Sequence, residues 1–293
     1  MKFDVIAGNP PYQENDADGN KKPSGHNLWP KFLGKSLELL KENGYLCYIT
    51  PPFFSPAYKE VINKCFVENT AKFINVGECG KHFPTIGTLF TYYILQRSSP
   101  KGTRGTDYVC QFGDRIFRGR LNFSRNLPFI PMMVSENSLS ILSKVIFGGA
   151  ESIPFVEDFT SVNFTANGKY EIRDGNNFRR TDDIHPLMSI KKVVVSKSGY
   201  MKPSFDAGQY GLTRNCFYAK VNDKAEAEKI LSLLDSRLYK FVLFICKWNG
   251  FTSKRVLEKL PLLRNVPDNF TDADLYSYFN LTAEEIALVE ETV

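Results

Sequence analysis

The chain has little of what metal sites, disulfide frameworks and membrane spans are made from. Its 293 residues include three histidines and six cysteines, and no two cysteines form a CxxC pair. This spacing favours reduced, buried thiols in a cytoplasmic protein over a disulfide framework or a metal site. The longest apolar runs, such as residues 241–246, are far too short to cross a bilayer, and the N-terminus has no apolar signal segment. We therefore expect neither a metal ion nor a membrane among its partners.

Charge is distributed unevenly along the chain. The net charge is +5, yet residues 268–293 contain seven acidic residues and no lysine or arginine. The remainder is therefore strongly basic, and a basic body with an acidic tail favours a polyanionic partner such as nucleic acid. On charge alone, an evenly spread basic surface is an equally good interpretation.

Strand-like and helix-like segments alternate over the first hundred residues. KFDVIA (2–7) predicts a buried strand, residues 27–44 a helix that ends at Asn43-Gly44, and YLCYIT (45–50) a second strand. A second helix is expected over 56–69, followed by the strands KFINVGE and TLFTYYILQR. This alternation predicts an α/β layer with mostly parallel strands.

The pattern changes after this first region. SSPKGTRGTD (98–107) is basic and linker-like, so we place a domain boundary after residue 100. Short strand-like runs follow, then one long helix over 224–247 and a final helix whose start carries a capping box, Thr282 with Glu285.

The first strand leads directly into Asn-Pro-Pro-Tyr at residues 9–12. Asn9 offers a side-chain carbonyl, and the carbonyl of Pro10 is fixed in direction by its own ring and by Pro11. These two acceptors suit the two hydrogens of an NH2 group, and Tyr12 offers a flat face for stacking. Acceptors placed around a tetrahedral nitrogen localise its lone pair, which can then attack an electrophilic methyl group without a metal or a general base. The motif therefore predicts amino methylation, with amide, guanine and adenine amino groups all compatible.

Residues 2–13, KFDVIAGNPPYQ, resemble motif IV of the adenine-specific (amino-N6) DNA methyltransferases of type II restriction–modification systems. NLWPKFLGKSLELLKENGYLCYITPPFF resembles the helix and strand that follow it in this family. KHFPTIGTLFTYYILQR is similar to motif VIII, whose aromatic residue packs against the extruded base, and the resemblance gives Phe83 that role. Later stretches, including LLDSRLYKFVLF and LYSYFNLTAEEI, are similar in pattern and order to the family's recognition region.

The resemblance implies a fold, a reaction and partners. The fold is α/β, a partial Rossmann-like methyltransferase sheet (1–100) followed by a mixed α/β target-recognition domain (101–293). The methyl donor is S-adenosylmethionine, next to Asn9 and Pro10, and the acceptor is adenine in duplex DNA, reached by base flipping. Candidate DNA contacts are the basic residues Arg115, Arg118, Arg120, Lys197, Arg214, Lys247 and Arg255. Scattered basic residues of this kind are more often solvated surface.

The glycine-containing cofactor motifs that precede motif IV in this family are not found in the chain. The first strand should then lie at an open sheet edge, and we expect a second chain to supply the cofactor-binding strands. The chain is accordingly interpreted as a fragment or subunit of a DNA adenine methyltransferase. The alternatives are a non-catalytic DNA-binding module of a restriction–modification system and an amino methyltransferase acting on protein or RNA.

Overall fold

The computed structural model describes residues 1–14, 27–83, 89–98, 105–122, 129–198, 202–248 and 251–293. Contacts between Cα atoms divide the chain into two units, Met1–Leu139 and Ser140–Val293. This division differs from the boundary expected after residue 100, because two strands that follow the linker-like stretch join the first sheet. Residues 99–104 of that stretch lie outside the described residues.

The described part of the first unit contains one six-stranded sheet with the strand order β1-β2-β4-β3-β5-β6. Its strands are β1 (Phe3–Gly8), β2 (Leu40–Thr50), β3 (Thr70–Val76), β4 (Thr91–Gln96), β5 (Thr106–Phe112) and β6 (Arg115–Leu121). Within the described residues β1 pairs with β2 and β3 with β5 in parallel, whereas the other three pairings are antiparallel. The α/β prediction is confirmed, but a mostly parallel sheet was the wrong expectation. Among the described residues, a short 3-10 helix (Glu78–His82) lies between β3 and β4, and the two strands pair directly in antiparallel orientation.

Helices α1 (Trp29–Leu39) and α2 (Lys59–Phe66) belong to the first unit, and α3 (Glu136–Val145) spans the division between the units. Helix α1 ends before the predicted Asn43-Gly44 stop because Leu40 already pairs with Phe3. The register between β1 and β2 then shifts, and Asn43 takes a positive φ of 65° within that irregularity. Asn43-Gly44, predicted to end the helix, therefore marks a bulge at the start of β2 instead.

Strand β1 lies at an edge of this sheet and pairs with β2. Phe3 is 41% exposed and Val5 is 57% exposed, so the prediction of a buried strand is wrong. The sequence also predicted that β1 would lie at an open edge of the sheet, and the strand order in the described part of the chain agrees with this. The exposed apolar side chains follow from that edge position, because no described strand adjoins β1 on its outer side.

The described part of the second unit holds two small sheets and a set of helices. The four-stranded sheet has the order β11-β10-β13-β7, and the three-stranded sheet has the order β12-β8-β9. The strands are β7 (Val156–Glu157), β8 (Tyr170–Asp174), β9 (Asn177–Thr181), β10 (Lys192–Ser196), β11 (Ser204–Asp206), β12 (Gly211–Leu212) and β13 (Cys216–Lys220). The helices are α4 (Lys224–Asp235), α5 (Arg237–Ile245), α6 (Lys254–Leu257), α7 (Asp272–Tyr278) and α8 (Ala283–Thr292). None of the helices in the described ranges is long and apolar enough to cross a membrane.

The single helix predicted over 224–247 is two helices, α4 and α5. Ser236 breaks the run, because its backbone is extended (ψ 147°) and its hydroxyl accepts a hydrogen bond from the Tyr239 amide, which caps α5. The capping box of α8 is confirmed. The amide of Glu285 donates to the Thr282 hydroxyl (3.3 Å), and the Thr282 amide donates to the Glu285 carboxylate (2.8 Å). All six cysteines are free thiols, five of them buried, which also agrees with the sequence.

Candidate active site

The motif at residues 9–12 lies where several strands of the first sheet meet the same edge. It directly follows β1, and the parallel pairing places the end of β2 beside it. Because β4 runs antiparallel to β2 and β3, the end of β3 and the start of β4 reach this edge as well. The carboxyl edge of parallel strands is where open α/β sheets bind ligands. The topology thus brings the motif together with the segments 77–83 and 89–90.

Tyr12 is the best anchored residue of the motif. Its hydroxyl donates a short hydrogen bond to the Asn9 side-chain carbonyl and lies 3.4 Å from the Ile49 carbonyl at the end of β2. Its own carbonyl accepts a hydrogen bond from the Leu28 amide (3.0 Å), just before α1. Pro10 is buried and Asn9 is exposed. The motif therefore forms a fixed loop that presents the Asn9 amide to solvent.

The phenol of Tyr12 acts as a donor at neutral pH. Burial raises its pKa, and the hydrogen bond to Asn9 only partly opposes this shift. The neutral hydroxyl donates its hydrogen bond to one lone pair of the Asn9 side-chain carbonyl, and the second lone pair can accept a hydrogen bond from another donor.

Three aromatic rings follow one another at this edge. The centroids of Tyr12 and Phe90 are 5.8 Å apart, and those of Phe90 and Phe83 are 4.7 Å apart, with the rings tilted by 42° in both pairs. Phe90 is only 3% exposed, whereas Phe83 is half-buried. The two aromatic residues selected from sequence are thus joined through Phe90, which the sequence reasoning did not select. Between Phe83 and Leu89, residues 84–88 lie outside the described part of the chain.

A hydrogen-bonded group after β3 was also missed from sequence. Asn75 is fully buried, and its amide nitrogen donates to the Glu78 carboxylate (2.9 Å), which also accepts from Lys81 (2.8 Å). The Lys81 hydrogen bond is the main reason why the pKa of Glu78 is lowered, and Asn75 adds to it. Gly77 enables this turn, because its φ is +84° and a Cβ there would lie 2.4 Å from the Gln111 carbonyl oxygen. The signal in the sequence was the glycine in NVGECGK, directly after a strand.

The three arginines predicted in the first unit all lie on β6, an outer strand of the described sheet. Alternation along the strand puts Arg118 and Arg120 on one face and Arg115 on the other. Arg118 is close enough to Glu78 to help lower the pKa of that carboxyl group. Arg120 forms an exposed ion pair with Asp107 (3.7 Å), and Arg115 stacks on the Phe117 ring (5.1 Å).

The four basic residues predicted in the second unit occupy separate positions. Lys197, after β10, is paired with Glu157 and lies 4.8 Å from the Phe217 ring centroid. Arg214 is exposed between β12 and β13 and lines a cavity beside them. Lys247 follows α5 and lines a different cavity with Phe244, and Arg255 is exposed on α6. Arg214 and Lys247 thus line two different cavities among the described residues.

Asn9 and Pro10 are also the residues predicted to adjoin a methyl donor. They follow β1, and the outer side of β1 carries no strand in the described residues. Asn9 is exposed directly after this strand, and its side-chain carbonyl accepts the hydrogen bond from Tyr12. The described edge thus holds an exposed amide, that of Asn9, beside a row of aromatic rings.

Comparison with known proteins gives matches in sequence and in fold. Residues 1–78 match the family model described as Eco57I restriction-modification methylase. The modification methylase CviBIII of Paramecium bursaria Chlorella virus NC1A is 27% identical over 283 residues, which cover 89% of this chain and 70% of that protein. The solved structure of the type IIL restriction-modification enzyme MmeI in complex with DNA covers 98% of this chain at 8% identity, with a TM-score of 0.51. That likeness shows a shared fold, and this chain spans 53% of the MmeI chain.

Proposed function

This chain is related to the methyltransferases of restriction–modification systems, and from that premise we propose that it methylates the exocyclic amino group of adenine in duplex DNA. The observation that supports this most directly is the loop at residues 9–12, which presents the Asn9 amide beside the aromatic row of Tyr12, Phe90 and Phe83. An amide oxygen and a proline carbonyl are acceptors, and a flat base edge with an NH2 group is their complement.

In this proposal the chain's own residues hold a flipped adenine. The Asn9 side-chain carbonyl and the Pro10 carbonyl accept the two amino hydrogens, and the base stacks on the Tyr12 ring and packs against Phe83 at the other end of the aromatic row. S-adenosylmethionine, bound next to Asn9 and Pro10, would supply an electrophilic methyl group to the adenine amino nitrogen, which would give up one proton to water. Pro11 keeps the Pro10 carbonyl in its direction.

We further propose that the outer edge of β1 pairs with the strands that bind the cofactor. Exposed Phe3 and Val5 give that edge an apolar surface of the kind that a neighbouring strand and its helices would bury. Those strands come from another part of the protein or from a second chain. The second unit would then contact the duplex, and basic side chains such as Arg214 and Arg255 would approach its phosphates.

The first experiment is a calorimetric titration of S-adenosylmethionine into the purified chain, with and without a duplex of mixed sequence. Binding of the cofactor leads to a transfer assay, in which the DNA is digested and N6-methyladenine is quantified by mass spectrometry. Methylation of another base, or of protein, would refute adenine as the acceptor. Duplex binding without cofactor binding would refute activity of this chain alone and favour a recognition module.

Replacing Asn9 with alanine tests the role of the acceptor. We expect Asn9→Ala to lose about 100-fold or more in turnover, the effect typical of removing one preorganised polar group. Affinity for the duplex should stay nearly unchanged, because Asn9 reaches the base only after flipping. Asn167→Ala, which removes another exposed asparagine in the turn before β8, is the matched control. Unchanged turnover in Asn9→Ala would contradict the mechanism.

A further inference from the structure

The β8–β9 hairpin of the second unit has polar and aromatic side chains on both of its faces. Strands β8 and β9 are joined by the two-residue turn Gly175-Asn176, with Gly175 at φ +64°. The first four residues of β9 are all exposed, and they read Asn-Phe-Arg-Arg. A strand that exposes both faces builds little core, so these side chains remain accessible to a partner.

The hairpin is nevertheless held rigidly near its turn. Arg173 on β8 is 5% exposed, and its guanidinium donates to the Gly175 carbonyl (3.0 Å), the Lys202 carbonyl (2.9 Å) and the Ser204 hydroxyl. The Phe178 ring packs edge-on against Tyr210 at 5.1 Å. The exposed side chains therefore stand on a fixed scaffold, which lowers the entropic cost of recognition.

One face of β9 borders a cavity of about 350 Å3. The Arg179 guanidinium lies 3.4 Å from the centroid of the Phe164 ring and 3.6 Å from the Asp174 carboxylate. Asp174 also accepts hydrogen bonds from the Thr213 hydroxyl and the Asn215 amide nitrogen, both at 2.7 Å. The exposed Arg214 completes this rim.

These contacts leave a defined set of groups turned toward solvent. The Asn215 amide nitrogen is engaged by Asp174, which orients the Asn215 side chain at the cavity. Arg179 is stacked and ion-paired, but its side chain is still 49% exposed, so part of its planar fork remains accessible. Donors, hydroxyls and a carboxylate thus stand together in one concave site.

This mixture of donors, hydroxyls and a carboxylate is better suited to contact with base edges than to contact with phosphates. A phosphate is best met by cations alone, and the Asp174 carboxylate would repel it. A base edge presents donors and acceptors side by side, and arginine and asparagine are the side chains that read guanine and adenine with paired hydrogen bonds.

We propose that the exposed edge strand β9 and the cavity beside it face the major groove of duplex DNA, and that Arg179 and Asn215 read base edges there. The inference rests on the proposed function, since it assumes that the second unit meets DNA. It assigns sequence discrimination to residues that no sequence motif marks. Arg180, on the opposite face of β9, is paired with Glu171 (3.3 Å) and lies outside this site.

The test is binding selection from a pool of duplexes with randomised sequence, followed by sequencing of the bound fraction. Arg179→Lys keeps the charge but removes the planar fork, so we expect it to lose about tenfold of the discrimination at one base pair. Affinity for unselected duplex should change little, because the charge remains. Arg180→Lys is the matched control, since the Arg180 side chain lies on the same strand, is also 49% exposed and is also paired with an acid.

Asn215→Ala gives a second, independent variant, which should lose discrimination at a neighbouring position. The same enriched sequence with the same discrimination in both variants would overturn the inference and leave the proposed function intact. Duplex binding without any sequence preference in the unaltered chain would overturn it as well. Failure of the unaltered chain to bind any duplex would refute the proposed function and this inference together.

Discussion

Phe90 is the residue whose replacement tests how the candidate active site is held together. It is 3% exposed and lies between the rings of Tyr12 and Phe83. Each aromatic pair contributes about 0.5–1.5 kcal/mol beyond the area that it buries. Phe90→Leu keeps an apolar side chain but removes both ring pairs, so we expect a loss of about 1–3 kcal/mol in the free energy of unfolding of the first unit.

The two tryptophans allow this unit to be followed by itself. Trp29 is fully buried in the first unit, and Trp248 belongs to the second. In a Trp248→Phe background, urea unfolding monitored by tryptophan fluorescence reports the surroundings of Trp29. The same background then carries Phe90→Leu.

A stability loss alone would not separate a positioning role from ordinary packing. Phe54→Leu is the control, because Phe54 is fully buried in the same unit and pairs with Phe53 at 5.1 Å. We expect both variants to lose stability and only Phe90→Leu to lower methyl transfer at saturating duplex, because only Phe90 contacts Tyr12 and Phe83. Equal transfer rates in the two variants would refute a positioning role for Phe90. An unchanged unfolding midpoint in Phe90→Leu would refute the packing argument itself.

Two further predictions concern buried charges in the second unit. Lys192 is fully buried, and it donates hydrogen bonds to Asp206 and to the carbonyls of Leu187 (2.9 Å) and Tyr210 (2.9 Å). Lys192→Met leaves the buried Asp206 without its cation, so we expect it to lower the free energy of unfolding by about 3–5 kcal/mol. A loss below about 1 kcal/mol, measured by urea unfolding, would show that the Lys192–Asp206 pair contributes little to the stability of the second unit. Glu285 is 2% exposed and its pKa is lowered, because the hydrogen bonds from its neighbours, led by that from Lys144 (2.7 Å), outweigh the opposing effect of burial. The pKa of Glu285 is lower in the folded state than in the unfolded chain. The ionised Glu285 therefore stabilises the folded state above about pH 4.3, and this contribution is lost as the pH falls further. Glu285→Gln should therefore be less stable at pH 7 and lose less stability between pH 5 and pH 3, and parallel curves for the two proteins would contradict this.

The sequence predicted the elements of the first unit better than their pairing. Period and turn residues identified β2, β3 and β4 within a few residues, because local patterns decide whether a segment is extended. They could not identify the antiparallel insertion of β4 between β2 and β3, since pairing depends on contacts between distant segments. The same limit applies to β1, whose apolar residues look like those of a buried strand, although the sheet leaves them at an edge.

The candidate site shows the same division between local and distant information. Asn9 and Tyr12 were selected because a short motif carries its own chemistry, and Phe83 because a resemblance marked it. Phe90 and Asn75 were missed, since neither residue type is unusual in an apolar strand. They become relevant only when the strand ends meet, which places Phe90 against Tyr12 and Asn75 against Glu78.

The contacts that hold the motif at residues 9–12 come from one side, and this bears on how the proposed cofactor-binding strands would join the sheet. Tyr12 is held by Ile49 at the end of β2, by Leu28 before α1 and by Phe90 at the start of β4. All of these contacts come from the side of the sheet on which β1 is paired. Asn9 is exposed directly after β1, which exposes Val5 and has no neighbouring strand on its outer side in the described residues. A strand added there would therefore restrain the acceptor from its free side while bringing the methyl donor, so cofactor binding and ordering of Asn9 should strengthen together. Slower hydrogen exchange of the amides of residues 3–9 in the presence of S-adenosylmethionine and the completing strands would follow from this coupling, and unchanged exchange would contradict it.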